Sequence, residues 1–274
     1  MSNVPQTMPP LPRRMLVTLT AIITCGTMYS VLYDTYLDTS NPLLTHLPHP
    51  LHHTHYFASK RNLLNVVFTK KLWAWTSAAF FASYFTSPPS ARLNQRLYKY
   101  FAATTVWLLF TGWFFGPSLL DRLVTQTGGE CFVHLPSGAV VSIPSELCYT
   151  KSTISLQSHP LLFPAALQFP EDGWSQMPRL RRGHDVSGHL FLLTLSVLFL
   201  TEQLHYSFAS QSRSAGPTAN TDDKWPANHK WAVLGDVVII IVALFATYTT
   251  SIYFHTPLEK LTGFVIVCCW FAIV

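Results

Sequence analysis

Residues 181–200 read RRGHDVSGHLFLLTLSVLFL. Arginine, histidine and aspartate crowd the first half, and from Leu190 onward the stretch is apolar except for Thr194 and Ser196. Bilayer hydrocarbon excludes charged groups unless they face protein or water. The stretch therefore reads as the mouth of a transmembrane helix. Composition extends that reading to the whole chain: of 274 residues, 49% are hydrophobic and 11% charged, against roughly 25% charged in an average soluble domain. Windows 15–33, 72–86, 100–120, 186–201 and 237–254 contain no Asp, Glu, Lys or Arg. Crossing a ~30 Å core takes about 20 helical residues, with ~17 as the lower limit. The first, third and fifth windows suffice alone, and the other two draw on their flanks. A sixth window, 261–274, makes only ~21 Å of helix, and spans if its helix begins near Thr256. The expectation is an all-α membrane protein, a six-span transmembrane helix bundle.

The first window is too long for a cleaved signal peptide and follows Arg13 and Arg14, so it reads as a retained span. Residues 1–14 form a proline-rich cytosolic tail, and 15–274 a single membrane domain. Residues 121–185 are the long polar stretch, a loop between spans three and four with too little apolar mass for a core of its own, expected to pack on the membrane domain. Residues 207–230, centred on SQSRSAGPTANTDD, read as a flexible cytosolic connector. The net charge of +5 is scattered over membrane-flanking loops. Lipid headgroups or an anionic substrate fit that distribution, and nucleic acid does not.

Orientation follows from lysine and arginine in short loops. With the N-terminus cytoplasmic, the inside holds Arg13, Arg14, Arg92, Arg96, Lys99, Arg213, Lys224 and Lys230. The outside short loops hold Lys60, Arg61, Lys70, Lys71 and Lys260. This bias places both termini inside and the 121–185 loop in the lumen or exterior. That loop contains two cysteines, Cys131 and Cys148, and in an oxidising compartment they are expected to pair.

His189 opens span four and His255 closes span five, so two crossings return them to the same membrane surface. His189, Ser196 and Gln203 recur every seven residues, and Thr247, Ser251 and His255 every four. Each set occupies one helical face. Polar faces in a bilayer turn to the bundle interior, so two helices present an imidazole each to one cleft.

GHDVSGHLFLL followed by YFHTPLEKLTG, together with the order of spans, resembles the fat storage-inducing transmembrane family, six-span proteins of the endoplasmic reticulum. Ser187-Gly188-His189 is also similar to the SGH of membrane phosphatidic acid phosphatases, and His255 with Glu259 to their HxxxD, with a longer carboxylate. Their KxxxxxxRP is missing, and Tyr248 and Thr249 stand where a Ser-Arg pair precedes the second histidine. The resemblance implies a fatty acyl-CoA diphosphatase that hydrolyses the CoA pyrophosphate, acts in lipid droplet formation and associates with neutral glycerolipids. It implies His255 as nucleophile, Glu259 as its orienting carboxylate and His189 as general acid. Ser187 and Gly188 would contribute to substrate binding, and Arg181, Arg182 and Lys260 are the nearest candidates for the missing positive charge.

The chemistry suits these residue types. Anhydride cleavage needs a nucleophile, an acid for the leaving oxygen and positive charge on the phosphoryl oxygens. Imidazole titrates near 6.5, so one ring attacks while the other donates. No metal or cofactor is required.

Other readings stand beside these. Thr256-Pro257-Leu258-Glu259 is also a capping box with proline at the first helical position. Arg179, Arg181 and Arg182 also suit headgroup contact, and His184 and Asp185 a polar loop end. THLPHPLHHTH has no tetrahedral metal spacing and reads as loop histidines. Cys25, Cys268 and Cys269 read as small core residues, and WLLFTGWFF as span packing. A non-catalytic bundle that binds neutral lipid and partitions it into droplets is the competing function. A transporter fits less well, for want of paired interrupted helices.

Overall fold

The computed structural model describes residues 10–37, 48–112, 117–150, 152–163, 173–214 and 224–273. The proline-rich tail through residue 9, His46, residues 113–115 of the aromatic run and the connector's centre at 215–223 lie outside the described residues. The helices are α1 (Pro10–Leu32), α2 (Leu72–Thr86), α3 (Asn94–Thr111), α4 (Leu119–Gln126), α5 (Ser145–Tyr149), α6 (Gly188–Ser214), α7 (Ala227–Tyr253) and α8 (Pro257–Ile273). Short strands β1 (Glu130–His134), β2 (Val140–Ile143), β3 (Ile154–Ser155), β4 (Ser175–Gln176) and β5 (Arg179–Arg181) lie between α4 and α6. Among the described residues, α1, α7 and α6 as far as Ser212 are long and apolar enough to cross a membrane. The protein is a mostly helical membrane protein.

The chain divides into two compact units. The first comprises residues 1–36, 49–105 and 187–274, and α6 is its central helix, packed by α1, α2, α7 and α8. Leu190, Phe191, Leu193, Leu195, Leu198 and Phe199 are all fully buried on α6, as expected of a helix apolar around its circumference. Gly26 lets α1 approach α7, because a Cβ there would lie 2.7 Å from Ser251 Cβ.

Two boundaries depart from expectation. The third window begins at Tyr100, yet α3 starts at Asn94 and carries Arg96 and Lys99 in its first turns. Arg96 is fully buried, donating through Nε to Gln203 Oε1 at 2.9 Å and through Nη1 to Ser87 Oγ and the Ala91 carbonyl, both at 2.9 Å. Lys99 pairs with Glu202 at 2.6 Å. These α6 partners let charged residues sit inside a helix that the charge-free window excluded. Likewise α6 continues to Ser214 and α7 begins at Ala227, so helix occupies both ends of the segment read as a connector.

The second unit, residues 37–48 and 106–186, corrects the expectation that the polar loop lacks a core. β2, β1 and β5 form an antiparallel sheet in that order, and β3 pairs with β4. Cys131, Val133, Leu135, Ile143, Cys148, Ile154 and Phe163 bury together. A disulfide joins Cys131 on β1 to Cys148 on α5. A small unit with few large apolar side chains commonly depends on such a bond. The hairpin between β1 and β2 turns at Gly138, whose φ of 81° is costly for any residue with a Cβ.

Candidate active site

α6 starts where its sequence supplies a cap. Ser187 Oγ accepts the Leu190 amide at 3.3 Å, satisfying one of the orphan donors of a first turn. Gly188 is the first helical residue and places His189, half-buried, on that turn. The fully buried Ser187 hydroxyl is thus a cap, a use that its assignment to substrate binding had not considered.

The second motif forms where α7 stops. Phe254 is extended and His255 adopts φ 62°, a left-handed conformation uncommon outside glycine, although histidine shares with asparagine and aspartate a several-fold enrichment in it. Thr256 and Glu259 close the capping box: Glu259 Oε2 accepts the Thr256 amide at 2.9 Å, and Thr256 Oγ1 accepts the Glu259 amide at 3.5 Å. The same Oε2 lies 3.4 Å from His255 Nδ1. One carboxylate oxygen thus serves the cap and lies beside the imidazole.

Two close contacts bring the motifs together. The Ser187 amide donates to the Glu259 carbonyl at 3.1 Å, and Gly263 of α8 is seated against the Ser187 carbonyl, only 2.6 Å from where a Cβ would stand. The His189 and His255 rings consequently lie 6.4 Å apart between centroids, inclined at 50°. With Nδ1 of His255 turned to a carboxylate, a proton on that nitrogen leaves the lone pair on Nε2. His189, across the gap, supplies a second proton-transfer group.

Lys260 goes elsewhere. Its ammonium is fully buried and donates to Ser30 Oγ at 2.9 Å and to the Ser251 carbonyl at 2.6 Å, with the Tyr36 ring 5.6 Å away. Those partners tie α1, α7 and α8 together, so the structure gives this cation an internal duty. Lys70, exposed on the 3-10 turn Thr69–Lys71, acts electrostatically on His189. The sequence reading counted it only for orientation. Gly263, too, carried no local signal.

The arginines belong to the second unit. Arg181 lies 3.7 Å from Asp185. Arg182, at φ 72°, lies 3.3 Å from Glu130 and 4.9 Å above the Phe132 ring. The His184 amide donates to Thr127 Oγ1 at 2.7 Å. Among the described residues no group of three or more His, Cys, Asp or Glu could hold a metal ion.

The family model described as fat storage-inducing transmembrane protein matches residues 53–274, taking in both motifs. The chain belongs to this family. It is 27% identical over 239 residues to acyl-coenzyme A diphosphatase fit1 of Schizosaccharomyces pombe, covering 87% of this chain and 74% of that one. To acyl-coenzyme A diphosphatase FITM2 of Danio rerio it is 27% identical, over 76% of this chain and 68% of the relative. The Homo sapiens FITM2 is 26% identical over 76% and 67%. No solved structure matches the chain.

Proposed function

We propose that this protein is a fatty acyl-CoA diphosphatase, hydrolysing the CoA pyrophosphate to acyl phosphopantetheine and an adenosine bisphosphate. The observation that carries the reading is the facing pair of imidazoles, one beside a carboxylate, built by two motifs that lie inside the family match. His255 Nε2 attacks phosphorus and the bridging P–O bond breaks. His189 protonates the departing oxygen. Water then hydrolyses the phosphohistidine, returning His255. Glu259 holds the His255 ring in its attacking orientation and favours the positive charge that develops there.

The same proposal sets the protein in the endoplasmic reticulum membrane as a six-span bundle with residues 121–185 lumenal, acting on long-chain acyl-CoA, associating with neutral glycerolipids and supporting lipid droplets. The Cys131–Cys148 disulfide supports an oxidising side for that segment. Purified protein supplied with long-chain acyl-CoA should release adenosine bisphosphate, and His189→Ala and His255→Ala should each suppress it. Release that survives both substitutions rejects the site. No release by the wild type, with retained binding of triacylglycerol, returns the protein to lipid partitioning without chemistry.

A further inference from the structure

The last carbonyls of a helix have no partner within it. At the end of α7 three in succession are met by buried donors from three separate segments. The Ser251 carbonyl accepts Lys260 Nζ at 2.6 Å, and the Ile252 carbonyl accepts Thr35 Oγ1 at 3.0 Å. The Tyr253 carbonyl lies 2.9 Å from His49 Nε2. Lys260, Thr35 and His49 are 0%, 9% and 2% exposed. Two residues further on, His255 stands in its left-handed conformation.

The tautomer of His49 follows from its neighbours. Nδ1 accepts the Leu51 amide at 3.0 Å, so it carries a lone pair. Nε2 lies between two carbonyls, Tyr253 and Thr35, at 2.9 and 3.0 Å, so it carries the proton. His49 is therefore a neutral donor, and the Thr35 carbonyl it also meets belongs to the residue whose hydroxyl caps Ile252. Each cap member reinforces another.

We propose that Thr35, His49 and Lys260 are positioning residues: they clamp the α7 terminus so that His255 is held in a left-handed conformation facing His189. A helix end usually reaches this conformation through glycine, which has no Cβ to oppose it. Here a histidine is needed for chemistry, and tertiary donors supply the constraint that glycine would make unnecessary. The assignment rests on His255 being the nucleophile.

Thr35→Val removes one donor at nearly constant volume, and Thr35→Ser restores it. In the full-length protein, kcat on long-chain acyl-CoA should fall roughly 10²-fold in Thr35→Val, the cost of a misplacement of about 1 Å. KM should hold, and Thr35→Ser should recover most of the loss. His53→Gln, an exposed neighbour of the cap, should change nothing. Carbethoxylation of His255 by diethyl pyrocarbonate, followed by peptide mass spectrometry, should quicken in folded Thr35→Val as the ring is released. If Thr35→Val does not fold, His49→Leu removes a second donor from the same cap and reads identically.

The modification assay separates the two readings. A wild type without diphosphatase activity defeats the functional reading, while faster His255 modification in the cap variants still supports the clamp. Unchanged kcat and unchanged modification in a folded cap variant overturn it. So does a rise in KM alone, which would move these residues to substrate binding. A lower melting temperature with kcat and modification unaltered would leave only a structural tie and likewise reject the proposal.

Discussion

Gly263→Ala tests the join between the two motifs. Alanine is the better helix former by about 1 kcal/mol, so secondary structure alone favours the change. The structure opposes it: the new Cβ would stand 2.6 Å from the Ser187 carbonyl oxygen, where ordinary contact begins at 3.4 Å. That oxygen is backbone in the capping turn of α6 and already accepts the Phe191 amide at 2.9 Å, so it cannot rotate away as a long side chain would. The helices must part by about 0.8 Å, and overpacking of that kind costs about 1–3 kcal/mol. The Ser187–Glu259 backbone bond stretches with it, a loss of about 0.5–1.5 kcal/mol. Clash and bond together exceed the propensity gain. Because His189 and Glu259 ride on the two separating turns, turnover should fall roughly 10²-fold, the usual effect of a near-ångström displacement. Melting in detergent followed by tryptophan fluorescence, and acyl-CoA turnover on the same preparation, give both numbers. A melting temperature that rises to the propensity value with full activity would refute the close approach and the reasoning built on it.

The two histidines should fail differently: His255→Ala should be inactive on every substrate, whereas His189→Ala should lose about 10²–10⁴-fold and recover when the leaving group needs no proton. An acid-labile phosphohistidine should map to His255 in the wild type and in His189→Ala, and be missing from His255→Ala. Glu259→Gln keeps a side chain competent in the capping box but loses the charge beside His255, so melting should hold while kcat falls between about 10- and 10⁴-fold. Burial keeps the His49 imidazole below its ordinary 6.5 against the opposing pull of the Tyr253 and Thr35 carbonyls. The unfolded chain then binds that proton more readily, so this part of the stability is full above pH 6.5 and drains as pH falls below it; denaturation of His49→Gln across pH should lack that component. Cys148→Ser should destabilise the second unit by about 3 kcal/mol through the freed unfolded chain, read by proteolysis within residues 121–185, and alkylation of unreduced wild type should leave both Cys131 and Cys148 unlabelled.

Much of the site is written locally. Ser187 precedes an apolar run and caps it, while Thr256-Pro257 starts α8 as its capping box reads. That His189 and His255 meet at one end of α6 and α7 could be read by counting crossings alone. The second unit's core was harder to see, since its apolar residues are spread from Cys131 to Phe163 and meet only through short strands and a disulfide. Lys260 shows where local reading stops. Beside Glu259 at a helix start, a lysine reads as a solvated cation available to phosphate, but the oxygens that turn it inward belong to Ser251 on another helix and to Ser30, 230 positions earlier.

His49 and Gly263 fall beyond local reading for a related reason. Four other histidines share the segment with His49, and it is the ends of α1 and α7 that bury His49 while His53 and His55 stay exposed. Gly263 looks like a minor flaw in an apolar helix until the Ser187 carbonyl occupies the space beside it. Reactive residues announce themselves by type and spacing, because chemistry restricts what they can be. The residues that hold them in place are ordinary threonines, lysines and glycines, chosen by partners distant in sequence. Glu259 crosses that division: its Oε2 takes the Thr256 amide and stands beside His255, and a carboxylate oxygen has two lone pairs to offer. The cap and the imidazole do not compete for this residue, so recognising its capping role counts nothing against its place beside His255.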